Sequence, residues 1–167
     1  MLHDPARHEP LQTIAWDETR ARATIARIVE ETVAAFSPET LWPVHPRDLE
    51  PGDDPAAPVT NLYYGAAGVI WALDYLRASG AADSPSFARQ LAPLRERNRA
   101  WLAALPGDNT GSWLMGDLPF EMMAWGHEPD TARADNIAAL IEGNIDHPAR
   151  ELMWGAPGSL LAAAFMH

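Results

Sequence analysis

The chain has 167 residues, 47% hydrophobic and 21% charged, a balance that suits one globular domain or a piece of one and argues against disorder. A formal net charge of −11, offset by no basic stripe or stacking platform, would repel a phosphate backbone and argues against nucleic acid as a partner. The absence of cysteine removes disulfides, zinc thiolates and thiol nucleophiles, and the absence of lysine removes Schiff-base chemistry.

Residues 1–15, opening Met1-Leu-His-Asp-Pro-Ala-Arg-His-Glu-Pro, read as a flexible tail with neither the basic n-region nor the apolar h-region of a secretion signal. No apolar run reaches the roughly 20 residues a membrane span needs, so the cytoplasm is expected, with no membrane partner. All 12 basic residues are arginine, and alanine and proline are used heavily, as in a GC-rich bacterial coding sequence.

Residues 16–167 read as one helical domain. Over 17–36, Ile25, Ile28, Val29, Val33 and Phe36 recur three and four residues apart against Arg20, Arg22, Arg27, Glu30 and Glu31, which predicts a helix with one wet face. Residues 37–60 hold six prolines and Gly52-Asp53-Asp54, so a long surface loop is expected there, with Asp53 and Asp54 solvated. The next helix, 66–79, opens Ala-Ala-Gly-Val-Ile-Trp-Ala-Leu with no polar side, which predicts burial all round. Over 86–105 the pattern is amphipathic again, with Phe87, Leu91, Leu94, Trp101, Leu102 and Leu105 opposite a run of arginines. A short apolar helix is expected at 117–126, a wet one at 130–145 with Ile137, Leu140, Ile141 and Ile145 on one face, and a last one at 156–166, apolar on every side. No sheet is expected.

Three of these helices begin alike. Asn61-Leu-Tyr-Tyr-Gly65-Ala-Ala-Gly68 and Glu151-Leu-Met-Trp-Gly155-Ala-Pro-Gly158 each place two glycines three residues apart before an apolar run. Ser112-Trp-Leu-Met-Gly116-Asp-Leu-Pro119 is a degraded third copy, with a proline that the first turn of a helix tolerates. Gly65, Gly116 and Gly155 are 51 and 39 residues apart, room for a helical hairpin in each unit. The glycine pair is expected to permit a positive φ at the turn and close approach of the next element. Wet and dry helices alternate, the pattern of an all-α fold built as an α/α toroid with dry helices inside and wet ones outside. A solenoid of helix pairs is the competing architecture. The run Leu160 to His167 reads as the middle of an apolar helix, so the chain is expected to be the front part of a longer protein, or a truncated product of one, that self-associates through an open C-terminal edge.

On these motifs the chain resembles the LanC-like proteins, the lanthionine synthetase C family, over about Leu62 to Phe165. Leu62-Tyr-Tyr-Gly-Ala-Ala-Gly-Val-Ile-Trp-Ala-Leu73 is similar to the family's first inner-helix motif, and Glu151-Leu-Met-Trp-Gly-Ala-Pro-Gly158 to its acid-x-x-x-Gly-x-x-Gly motif. The resemblance implies a seven-hairpin toroid of which three hairpins are present. It also implies an enzyme whose zinc, held by two cysteines and a histidine, activates a thiol for addition to a dehydroamino acid, with a peptide or a small thiol and electrophile as partners. Those ligands belong to later repeats, so no metal and no cofactor is expected in this chain, which alone should be inactive.

Glu151 occupies the place where the resemblance implies an acid acting in proton transfer; its other reading is pairing with an arginine or with helix N-terminal amides. Asp117 and Glu121, one turn apart, are candidates to face a central cavity as an acid and base pair, against the alternatives of a helix cap for Asp117 and an arginine partner for Glu121. Tyr64 and Trp154 are candidates for the cavity rim or for the core. The histidines His3, His8, His45, His127, His147 and His167 show no metal-ligand spacing. Two further functions stay open: a six-hairpin glycosidase-like or epimerase-like toroid acting on a sugar, and a non-catalytic helical-repeat module that binds a peptide.

Overall fold

A computed structural model describes residues 13–49, 51–52 and 54–166, and among these residues the chain is all-helical, with six α-helices and no strand. Asp53, His3, His8, His167 and all but the last three residues of the expected tail lie outside the described residues. No described helix is long and apolar enough to cross a membrane.

Helix α1 spans Glu18–Ala34 and starts where Asp17 Oδ1 accepts from the Arg20 amide at 3.0 Å. Its only fully buried residue is Val29, as one wet face requires. Helix α2 spans Ala66–Ala78, and α3, Leu91–Leu102, is shorter than its periodicity suggests because Pro93 fits only its first turn and Pro106 lies just beyond its end. Helices α4, Leu118–His127, α5, Thr131–Gly143, and α6, Ala156–Met166, complete the chain. Asp130 caps α5 through the Arg133 amide at 2.8 Å.

Helix α4 is the centre of the structure. It touches α2, α3 and α5, and α5 in turn touches α6. Phe120 joins a core of Val29, Ile70, Leu73, Leu91 and Leu94, while Leu118 joins a second core with Ile137 and Ala162. Each such side chain removed from water stabilises by roughly 1.5–3 kcal/mol, so α4 binds the two halves together.

Two expectations need correction. The segment 37–60 is not wholly a surface loop, because Leu41 is buried in the core with its backbone at φ 62°, and Thr60 is buried as well. Leu41 and Ser37 exchange backbone hydrogen bonds at 2.7 and 3.0 Å, and Phe36, Trp42 and Phe87 form an aromatic cluster with centroids 4.8 to 5.3 Å apart, which fixes the left-handed residue. Helix α2 is not buried all round. Ala66, Ala67, Ile70 and Leu73 are buried, but Trp71 and Tyr75 are more than half exposed, because α1, α3 and α4 leave that face open.

Candidate functional site

The three glycine motifs fold alike. Four residues before each leading glycine stands a side-chain acceptor, and it takes the amide of the residue preceding the glycine: Asn61 from Tyr64 at 3.1 Å, Ser112 from Met115 at 3.1 Å and Glu151 from Trp154 at 2.9 Å. The helix after the turn has its first amides satisfied from behind, Ala66 by the Val59 carbonyl at 2.9 Å and Asp117 by the Thr110 carbonyl at 2.8 Å. The turns also touch one another. The amides of Leu62 and Tyr63 share the Leu114 carbonyl at 3.1 and 3.2 Å, and the Leu114 amide meets the Met153 carbonyl at 3.4 Å.

Gly65, Gly68, Gly116, Gly155 and Gly158 are needed for lack of room, not for backbone freedom. Gly65 has φ −116°, and the described glycines with positive φ are Gly52, Gly80 and Gly107, outside the motifs. A Cβ on Gly65 would lie 2.7 Å from the Asn61 nitrogen, and one on Gly116 would lie 2.6 Å from the Asn109 oxygen. At Gly68 and Gly158 it would strike the carbonyls of Leu62 and Leu152, and at Gly155 that of Ala149. The positive φ expected of these turns is therefore absent, and close approach alone explains the glycines.

Past the turns, the open faces of α2 and α4 line a groove of roughly 1280 Å³, closed on its flanks by α1 and by Leu161 and Phe165 of α6. Tyr64, Trp71, Tyr75, Met122 and Met123 make its walls predominantly apolar. Trp71 and Tyr75 stack, with centroids 5.7 Å apart and planes 19° apart.

The candidate carboxylates stand elsewhere. Asp117 and Glu121 are buried on the side of α4 that faces α3 and α5, whereas Pro119, Met122, Met123, Gly126 and His127 are the α4 residues in the groove. Asp117 meets Arg99; Glu121 meets Arg95 and, at 3.6 Å, Arg133. Neither carboxylate lines the groove; the structure turns both to arginines of α3 and α5 instead. Asp117 stands at the N-cap of α4 yet makes no side-chain cap bond there. Burial raises its pKa above the ordinary carboxylate value, opposed by the hydrogen bond and charge of Arg99.

Glu151 is exposed, its two oxygens spent on the Met153 and Trp154 amides at 2.6 and 2.9 Å, which belong to the turn before α6 and not to the helix N-terminus. Tyr64 lines the groove, but Trp154 does not; it stacks on Trp101 with centroids 6.2 Å apart. Asp54 is exposed and accepts from the Ala56 amide at 2.9 Å. His45 accepts from the Arg47 amide at 3.1 Å, and His147 accepts from the Ala149 amide at 3.2 Å and sits 3.1 Å from Asn109 Oδ1.

The sequence reading missed one cluster in the groove. Asp74 of α2 receives Arg77 Nη2 at 2.6 Å on one oxygen and His127 Nε2, from the end of α4, at 2.9 Å on the other. All three line the groove and are partly buried. The available signal was Asp74 itself, an acid at helical spacing from Trp71 in an otherwise apolar stretch. Comparison of the chain with protein-family models, with curated proteins and with solved structures finds no match.

Proposed function

We propose that these hairpins are the front part of a LanC-like α/α toroid, whose complete form adds a thiol to a dehydroamino acid. The observation that supports this reading is the equivalence of the three turns: one acceptor position, one glycine cradle and direct turn-to-turn hydrogen bonds, the construction a ring of inner helices requires. In this reading α2, α4 and α6 are inner helices, and the apolar groove along them is the wall that holds a peptide or small electrophile.

The zinc of that chemistry has no fit to the described residues. They include no group of three or more His, Cys, Asp or Glu side chains able to hold a metal, and the sequence supplies no thiolate. No step of the addition is assigned to this chain, which in this reading contributes binding surface and needs the ligands of later repeats. Glu151, held by two amides, acts there as a turn cap that fixes the mouth of α6.

The buried, arginine-paired placement of Asp117 and Glu121 away from the groove weighs against the sugar-cleaving alternative, which needs two acids flanking a bond in the cavity. In isolation the chain would self-associate through the exposed apolar face of α6. The test is to read the gene downstream of His167 and to assay the encoded protein, with zinc, for addition of a thiol to a dehydroalanine peptide. A Trp-Cys-x-Gly motif followed by Cys-His-Gly, and thioether product, are expected; acids without cysteines, or no product, would overturn the reading.

A further inference from the structure

The hydrogen bonds between the three turns form a ladder with a direction. The third residue of each motif supplies the rungs: the Tyr63 amide donates to the Leu114 carbonyl at 3.2 Å, and the Leu114 amide donates to the Met153 carbonyl at 3.4 Å. By the same rule the Met153 amide would donate to the carbonyl of a further turn. Instead it donates to Glu151 Oε2 at 2.6 Å. Asn61 and Ser112, at the same place in the earlier turns, accept only the amide before the glycine and leave the third residue to its neighbour. Glu151 alone brings a second carboxylate oxygen, and that oxygen closes the donor end. At the other end stands the Tyr63 carbonyl. Its counterparts on Leu114 and Met153 each accept from a neighbouring turn, but among the described residues it accepts from none, and Tyr63 is more than half exposed.

Side-chain burial marks the same two ends. Ile70, Glu121 and Leu160 each stand five residues after a leading glycine. Ile70 is buried in a core with Leu91 and Leu94 of α3, and Glu121 is buried against Arg133 of α5, so each is covered by the helix that follows its own. Leu160 is 72% exposed, and among the described residues no helix follows α6. Helix α1 has the complementary lack. Whereas α3 touches both α2 and α4, and α5 both α4 and α6, α1 lays Val29 in the core that holds Ala66 and Ile70 of α2 and is otherwise largely exposed.

We propose that the chain associates head to tail with a second copy of itself: α1 and the first turn of one copy cover α6 and the third turn of the other, α1 lies over Leu160, and the Met153 amide leaves Glu151 to donate to the Tyr63 carbonyl of the second copy. Copies paired α6 to α6 would set donor edge against donor edge and leave the rung unmade. The head-to-tail contact continues the interface by which the first turn meets the second and the second meets the third. Glu151 is the lock on this edge, since its carboxylate must release the Met153 amide before another turn can take it. The proposal rests on the α6 self-association stated above and not on the thioether chemistry, and it adds which surface of the second copy α6 meets.

The test is sedimentation of the 167-residue chain and its variants in high salt, which screens the net charge of −11. Leu160→Glu disables one end and Tyr63→Glu the other, each at an exposed side chain. Wild type should associate, each variant alone should be monomeric, and an equimolar mixture of the two should form one-to-one dimers and nothing larger, because only one intact pair of ends remains. Glu151→Asn gives the third turn the residue of the first and frees the Met153 amide, so it should tighten association roughly fivefold, the worth of one hydrogen bond. Asp83→Asn, which removes a charge from an exposed loop, should not. Circular dichroism confirms that each variant is folded. If Leu160→Glu is monomeric while Tyr63→Glu associates as wild type does, the head-to-tail arrangement is overturned and the α6 contact stands; a monomeric wild-type chain overturns both. Absence of dimers in the mixture, or a Glu151→Asn effect no larger than that of Asp83→Asn, would also overturn the proposal.

Discussion

Asn98 and Asn144 hold the same place in successive hairpins: each sends Nδ2 to the carbonyl of the residue before a motif glycine, Met115 at 2.8 Å and Trp154 at 2.9 Å. Each also reaches back to the preceding unit. Asn98 accepts from Thr60 Oγ1 at 2.8 Å, while Asn144 meets Ser159 Oγ at 2.8 Å, and that hydroxyl donates to the Gly111 carbonyl at 3.2 Å. Thr60 and Gly111 both stand five residues before a leading glycine. The two asparagines are therefore the polar bolts that fix one repeat on the next, and both are buried.

Removing a bolt should cost more than an ordinary surface change. Asn98→Ala strands the Met115 and Gly116 carbonyls and the Thr60 hydroxyl, so a loss of about 2–3 kcal/mol in urea unfolding is expected. Asn144→Ala should behave similarly. A loss well under about 1 kcal/mol in both would show that the network does not hold the repeats.

The glycines divide into two classes by what surrounds them. Gly65→Ala and Gly155→Ala place a methyl against backbone that cannot yield, and each should destabilise by at least about 2 kcal/mol or prevent folding. Gly143, the last residue of α5 with open space around it, should accept alanine with no loss of stability. Thermal melts of the three variants check the contrast.

These relations set the limit of what the sequence could reveal. The glycine repeats and apolar periodicity located all six helices, because local spacing governs both the turn and the face each helix buries. Partnership between distant residues was not legible. Asp74 and His127 meet only because α2 and α4 lie side by side, and nothing local to either residue reports that. The orientation of Asp117 and Glu121 was undecidable for the same reason: a helix with one acid per turn states which residues share a face, but not that Arg95, Arg99 and Arg133 wait on that side. The exposure of Trp71 was hidden because an apolar residue lining a groove has the same letter as one in a core.

The buried Asp117 carboxylate makes a pH prediction. Its folded pKa is raised by burial above the unfolded value, so the folded state binds the proton more tightly, and stability falls as pH rises from the unfolded pKa through the folded one. Arg99 opposes that loss. Arg99→Met should therefore cost most, about 1–3 kcal/mol, at pH well above the raised folded pKa, where Asp117 is charged, and progressively less as acid protonates it. Asp108 has the opposite sign. Its pKa is lowered, first by the Thr110 hydroxyl and then by the Thr110 amide, so its contribution is present above the unfolded pKa and disappears as pH falls through the folded one. Thr110→Val should raise the Asp108 pKa toward its ordinary value, read by carboxyl NMR titration. A cost of Arg99→Met that does not change with pH would show that the pair is not electrostatic.

The last prediction concerns α6. Its buried residues are Gly158, Ser159 and Ala162, while Leu160 and Phe165 stand 72% and 63% exposed and Leu152 is exposed beside the turn. Covering side chains of this size gains roughly 1.5–3 kcal/mol each, and a contiguous apolar patch drives association. The isolated chain should therefore form dimers or larger species at micromolar concentration. Leu160 is the informative site, since it does not line the groove, whereas Leu161 and Phe165 do. Leu160→Glu places a charge in the contact without touching core or groove, so it should shift sedimentation toward monomer with the melting temperature unchanged at low concentration, where wild type is also dissociated. A wild-type chain that stays monomeric at high concentration, or a Leu160→Glu variant that associates as strongly as wild type, would rule out this face as the contact.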